Sequence, residues 1–250
     1  MAHVGLELYT VRHELARDAE KTLAAVKAIG YEYVEVVWPM LTKTPAQFRA
    51  MLDRNGLRAP SGHLSASAFE VGWERRLEAA RVLGHQYLFV ASLPSEARQT
   101  IDDWRDWAGH FNKAAAVARR HDMWLGFHTE PDHFQPIGGR VPYDVFVEHL
   151  DPALVRLQLD VGNVAMAGLD PLTYLKRWRD RYWSFHVKDV PVVGVARDTT
   201  LGAGKLDLAG LLSAAGNLDR KLVYVEEEGS SDALASARLD YQYLAGLELK

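Results

Sequence analysis

The chain of 250 residues contains no cysteine. Disulfides and thiolate metal sites are therefore excluded, and any metal must be held by oxygen and imidazole. Long apolar runs are missing too, since none approaches the ~18 residues of a membrane helix. The opening "MAHVGLELYTV" lacks the basic flank and extended apolar region of a secretion signal, so a cytoplasmic protein is expected. Basic runs are scarce. The net charge is −4, and the densest cationic stretch, "ARRHD" at 118–122, reads as the polar end of a helix. Neither nucleic acid nor an anionic membrane is an expected partner on that balance. A glycine-rich phosphate loop after the first strand is also lacking; "YTVRHEL" stands there instead, which argues against a doubly wound nucleotide-binding sheet.

What is present is a repeated alternation, with 48% hydrophobic residues available for a core. Eight short β-branched or apolar runs read as strands: "VGLELYTV" (4–11), "YEYVEVVW" (31–38), "LRAPSGHLS" (57–65), "QYLFVAS" (86–92), "MWLGFHTE" (123–130), "VRLQLDVGN" (155–163), "YWSFHVKDV" (182–190) and "KLVYVEEEG" (221–229). Helical spacing separates them. Asp18 is placed to cap a helix carrying Leu23, Val26 and Ile29 on one face. Thr44 followed by Pro45 opens the next, which ends at Asn55-Gly56. Further helices are predicted over 73–84, over a long stretch from about Ser95 to Asp122, and near "PYDVFVEHL", "DPLTYLKRWRDR", "LDLAGLLSAAG" and "DALASARLDYQYLAGL". Eight strand–helix units at intervals of roughly 30 residues predict an α/β (β/α)8 TIM barrel, one domain spanning 1–250.

In such a barrel alternate strand residues point inward, and the C-terminal strand ends form the active face. On that period His128 and Glu130 share the inner face of the fifth strand, and Gln158 and Asp160 that of the sixth. Ser184, His186 and Lys188 follow on the seventh, then Tyr224 and Glu226 on the eighth. Four consecutive strands thus end in Glu130, Asp160, His186 and Glu226. Neighbouring strands lie ~4.8 Å apart, so these four groups can converge. Three carboxylates brought together without a counter-charge would repel one another and take up protons. A divalent cation resolves the conflict, and three oxygens with one imidazole suit Mn²⁺, Mg²⁺, Co²⁺, Fe²⁺ or Zn²⁺.

The stretches "GLELYTVR", "GYEYVEVV", "SGHLS", "GGRVPYDV", "QLDVGN", "FHVKDV", "LGAGKLDL" and "VYVEEEG" together resemble the sugar phosphate isomerase/epimerase family, the xylose isomerase-like barrels, in order along nearly the whole chain. The resemblance implies a metal-dependent barrel, with Mn²⁺ first among the candidate ions, acting on sugars or polyol ketones. Its ligand pattern carries over onto Glu130, Asp160, His186 and Glu226. "EP" at 130–131 is similar to the ketose 3-epimerase branch. The chain departs from that branch at "DHFQP", at Asn163 where the branch has a histidine, and at "VKDVPVV", where an arginine is missing. These departures bear on substrate and leave the metal frame intact.

The expected chemistry is proton transfer at a carbon next to a carbonyl, through an enediolate, with Glu130 and Glu226 as the carboxylate pair. Epimerisation or isomerisation results when the proton returns, and an inosose-type dehydratase when a neighbouring hydroxyl leaves. Lys188 could bind a substrate oxygen, and His63, Glu35, Tyr9 and His128 could line the pocket, with Trp38 able to stack on a sugar face. His128, one layer deeper than Glu130, also reads as a hydrogen-bonding neighbour of the ligands. Glu227 and Glu228 read as solvent or helix-start charges. Trp104 and Trp107 share a helix face, which reads as core or as a subunit contact in a homo-oligomer. "LGAGKLD" (201–207) is either a weak phosphate cradle or a lid hinge. Two rival readings remain, a metal-dependent endonuclease and a non-catalytic sugar-binding barrel.

Overall fold

Each of the eight β-rich runs folds as a short strand, and every strand pairs in parallel with the next until the eighth closes on the first. The computed structural model describes residues 3–69 and 71–247; residues 1, 2, 70 and 248–250 of the expected domain lie outside the described residues. The strands are β1 (His3–Glu7), β2 (Tyr33–Val37), β3 (Arg58–Leu64), β4 (Tyr87–Val90), β5 (Trp124–His128), β6 (Val155–Asp160), β7 (Tyr182–Val187) and β8 (Leu222–Val225). Around them lie α1 (Arg12–Arg17), α2 (Ala19–Ile29), α3 (Pro45–Arg54), α4 (Trp73–Leu83), α5 (Ile101–Arg120), α6 (Pro142–His149), α7 (Val161–Met166), α8 (Pro171–Trp178), α9 (Leu208–Ala215) and α10 (Ala233–Gly246).

Local chemistry sets most helix starts. Asp18 caps α2 by accepting from the Lys21 amide, and Thr44 exchanges two hydrogen bonds with Gln47 to open α3 behind Pro45. The long fifth helix begins later than its polar lead-in predicts. Thr100 and Asp103 form a reciprocal cap there, so the chain from Ser95 to Thr100 stays outside it. Two helices are not foreseen by apolar spacing. The first, α1, buries no residue and carries no apolar stripe. The second, α7, starts directly at the end of β6, because Asp160 doubles as its N-cap and accepts from the Asn163 amide at 2.9 Å.

The strands divide their side chains by parity. Outward residues such as Leu6, Val34, Val36, Leu88, Val90, Leu125, Phe127, Leu157, Leu159, Phe185, Val223 and Val225 are fully or almost fully buried against the helices. At about 1.5–3 kcal/mol for a buried side chain of this kind, this sheath is the main apolar contribution to stability. Trp104 and Trp107 belong to that core. The inward residues are largely polar. Low in the barrel Ser61 Oγ meets Tyr224 Oη at 2.7 Å, and Gly126 leaves the space that the Phe89 ring occupies, where any Cβ would clash. The upper inner layer carries Glu7, Glu35, His63, His128, Gln158, Asp160, His186 and Glu226.

The long connection after β7 is tied down from within. Asp189, wholly buried, accepts from the amides of Val190, Gly202, Gly204 and Leu206 at 2.8–3.1 Å. The glycine-rich stretch therefore directs three of its N–H groups at an internal carboxylate. Asp198, on the same connection, accepts from the amides of Glu228 and Gly229 and fixes the loop after β8.

Candidate active site

At the C-terminal ends of the strands the inner layer opens into a cavity of about 380 Å³. Glu7, Tyr9, His63, His128, Glu130, Asn163, Glu226 and Glu228 are among its walls. A larger groove of about 920 Å³, walled by Trp73, Trp107, His110 and Lys113, lies on the outer shell between α4 and α5 and holds none of the inward donors.

One group of side chains beneath the cavity brings four potential ligands together. Single donor atoms of His128, Asp160, His186 and Glu226 all lie within 4.8 Å of one another. Three of these are residues that the inward register and the family resemblance nominate; the fourth corner is His128. Glu130 stands at the rim, a third exposed, with its Oε1 3.9 Å from His128 Nε2 and its Oε2 accepting from Asn163 Nδ2 at 3.2 Å. Further inward, Glu7, Glu35, His63 and His186 form a second close group, with His186 common to both.

Hydrogen bonds fix the imidazoles. Gln158 Oε1 accepts from His63 Nε2 at 2.7 Å and from His128 Nδ1 at 2.9 Å. That leaves His128 Nε2 as the nitrogen facing Asp160 Oδ2, 4.0 Å away. His186 Nε2 donates to Glu35 at 2.5 Å and its Nδ1 meets Glu226 Oε2 at 2.8 Å. Glu35 thus stands behind His186 as an outer carboxylate, the arrangement that orients a metal-bound imidazole. It is fully buried and also accepts from Gln158 Nε2, so it supports the site from below and is not part of the cavity wall. Tyr9 and His63 do line the cavity, whereas Trp38 gives its indole N–H to His85 at 3.1 Å.

The charges follow from burial and neighbours. Burial alone would raise Glu226, but Lys188 and His186 hold it well below the usual carboxylate range. Glu35 is likewise lowered against its burial by His63 and His186. His186 is raised well above an ordinary imidazole, because Glu226 and Glu35 outweigh its burial. Burial keeps His128 neutral, aided by His186 and His63. Asp160 is pushed up to about 6 and Glu130 to about 8, in both cases by burial that Lys188 only partly offsets. Glu7 is raised well above its ordinary value by burial and by Glu35.

Two residues carry more than their sequence positions suggest. Gln158 links Glu35, Ser184, His63 and His128 in one network; its inward parity is visible, its connections are not. Glu228, read as a solvent charge, is exposed as expected, and it also accepts from Lys188 at 2.6 Å and lines the cavity. Glu7 shares the parity of Tyr9 on the first strand, so alternation alone could have found it.

The donor set suits a divalent ion. Asp160 Oδ2 is buried without a directed hydrogen bond, its charge partner is Lys188 Nζ at 3.2 Å, and neutral His128 turns a nitrogen lone pair toward it. Two carboxylates and two imidazoles form an oxygen and nitrogen set that first-row divalent ions accept.

The same architecture recurs among known proteins. A sugar phosphate isomerase/epimerase from Parabacteroides distasonis superposes with a TM-score of 0.87 at 22% identity, covering 100% of this chain and 96% of that one. The IolI protein with a bound zinc atom superposes with a TM-score of 0.72 at 14% identity, covering 99% and 98%. An inosose dehydratase of Geobacillus kaustophilus is 24% identical over 222 residues, 79% of this chain and 71% of that protein. Across such curated relatives the shared stretch falls to 30% of the relative's own length. Residues 23–247 match the family described as Xylose isomerase-like TIM barrel. With nearly the whole chain matched and the barrel closed as that name requires, the protein belongs to the xylose isomerase-like TIM barrel family.

Proposed function

We propose that this barrel is a divalent-metal-dependent enzyme that moves a proton at a carbon next to the carbonyl of a sugar or polyol ketone, as an isomerase or epimerase. One observation carries the reading: donor atoms of His128, Asp160, His186 and Glu226 converge beneath a carboxylate-walled cavity, with the carboxylates of Asp160 and Glu226 balanced by Lys188 Nζ at 3.2 Å from each. A divalent ion held there by Asp160, His186 and Glu226, with His128 as the fourth ligand, would act as a Lewis acid that acidifies the C–H next to a carbonyl.

The protein's own groups divide the proton work. Glu226 is held ionised and can accept a proton. Glu130 keeps its proton up to about pH 8 and can deliver one. Two carboxylates pushed apart in this way form an acid and base pair across the cavity. Return of the proton at the same or the adjacent carbon gives epimerisation or isomerisation. A second reading is favoured by the relatives named inosose dehydratase: Glu226 takes the C–H proton, the neighbouring C–O bond breaks, and the hydroxide leaves as water with the proton of Glu130. A nuclease would need a basic track for the phosphate backbone, which sits badly with a net charge of −4.

The test is incubation of Mn²⁺-loaded protein in D₂O with a panel of ketoses and inososes. Deuterium next to the carbonyl without loss of water is expected. Loss of water, read as the absorbance of a conjugated ketone, selects the dehydratase. Bound sugar recovered without deuterium or elimination across the panel overturns both in favour of a binding barrel.

A further inference from the structure

Lys188 stands two residues beyond His186, on the same inward parity, and its side chain is completely buried. Its Nζ lies 3.2 Å from Asp160 Oδ2, 3.2 Å from Glu226 Oε2, 2.6 Å from Glu228 Oε1 and 3.4 Å from Asn163 Oδ1. Its stem passes over Gly162, where a Cβ would sit 2.6 Å from Lys188 Cβ. No other residue type would admit it without a shift. The first two oxygens belong to the donor group, whereas Glu228 does not. An ammonium and a divalent ion repel, and neither gives way cheaply when buried carboxylates are the alternative partners.

We infer that Lys188 is the resident cation of this site, so that metal enters by exchange: the ion takes Asp160 and Glu226, and the ammonium retires onto Glu228 and Asn163 at the cavity wall. This rests on the metal reading proposed above. Lys188 then has two duties. Without an ion it neutralises carboxylates that would otherwise destabilise the barrel, and with an ion it faces the cavity as a donor to a substrate oxygen. Glu228 is the counter-charge that makes the retreat possible, and Asp198 holds its backbone in place.

The experiment is Mn²⁺ calorimetry on chelator-stripped wild type, K188M, E228Q and the double variant, with melting curves of each stripped protein. Exchange predicts that K188M binds Mn²⁺ about tenfold tighter or more and melts lower when stripped. It also predicts a coupling: E228Q weakens Mn²⁺ about fivefold beside Lys188 but less than about twofold in the K188M background. Equal affinity of K188M and wild type overturns the inference. So does an E228Q effect that is the same in both backgrounds, since Lys188 would then be a fixed charge that never moves. If neither wild type nor K188M takes up Mn²⁺, Co²⁺ or Zn²⁺ while both melt cooperatively, the metal reading itself is lost, and the inference with it.

Discussion

The two halves of the barrel carry the same side-chain types at the same height and use them differently. Strands β1 to β3 bring in Glu7, Glu35 and His63, while the β5 to β8 half brings in His128, Asp160, His186 and Glu226. In the first half the ionised carboxylate is engaged: Glu35 meets Gln158, His63 and His186, while Glu7 Oε2 has no hydrogen bond but belongs to a carboxyl whose burial beside Glu35 favours the protonated form. In the second half Asp160 keeps an oxygen without a directed hydrogen bond, and Lys188 contacts both carboxylates. Residue type and inward parity nominate a ligand. The accounting of partners and of charge together decides whether it can serve as one.

The sharpest way to break this comparison is to remove one acid from each half. D160A should abolish measurable Mn²⁺ uptake and lower turnover by about 10³-fold or more, since it deletes a ligand from the proposed centre. E35Q should keep the fold and some activity but lower metal affinity about 10–100-fold, as the loss of an outer carboxylate does. Calorimetry on both variants checks this, and equal effects would erase the distinction between the halves. A smaller effect tests the second half by pH. Asp160 holds a proton up to about 6, whereas Glu130, outside the ligand set, holds one up to about 8. An entering cation must displace the proton of Asp160, so affinity should rise as pH rises through about 6 and level off above about 7. The slope should be no more than about tenfold per unit for each proton displaced. E130Q should leave this profile unchanged, which titration calorimetry in buffers of different ionisation heat would confirm as an unaltered number of protons released.

Much of the frame was legible because strand and helix periods differ so clearly. Alternation placed Gln158, Asp160, His186, Lys188, Tyr224 and Glu226 on the inner face, and Thr44-Pro45 marked a helix start that the structure reproduces. Less was legible where one residue serves two purposes. Asp160 is both a candidate ligand and the cap of α7, so "LDVGN" reads as strand until the turn is seen. Glu228 is solvated as its position suggests, but its pairing with Lys188 was hidden because the two are distant in sequence and meet only when β7 and β8 pair. "LGAGKLD" looked like a phosphate cradle or a hinge. Its amides are taken by Asp189, whose role depends on a loop closing over it. Parity gives direction, but hydrogen-bond partners are a property of the closed barrel.

The smallest expected effect is at Glu7, and it sharpens the comparison most economically. Glu7 is buried beside Glu35, and burial and that neighbour raise it well above its ordinary value, which favours its protonated form. A carboxyl whose folded pKa exceeds its unfolded one binds more protons in the native state. Its contribution therefore weakens stability as pH climbs above the unfolded value. A glutamine mimics the protonated form and has no proton to lose. E7Q should thus melt within about 2 °C of wild type near pH 5. At pH 8 it should melt at the same temperature or higher, with metal affinity changed less than about twofold. A marked loss of stability or of Mn²⁺ uptake in E7Q would mean that Glu7 is ionised and working. The first half of the barrel would then be a second charged site, and no longer the neutralised support on which the ligand half rests.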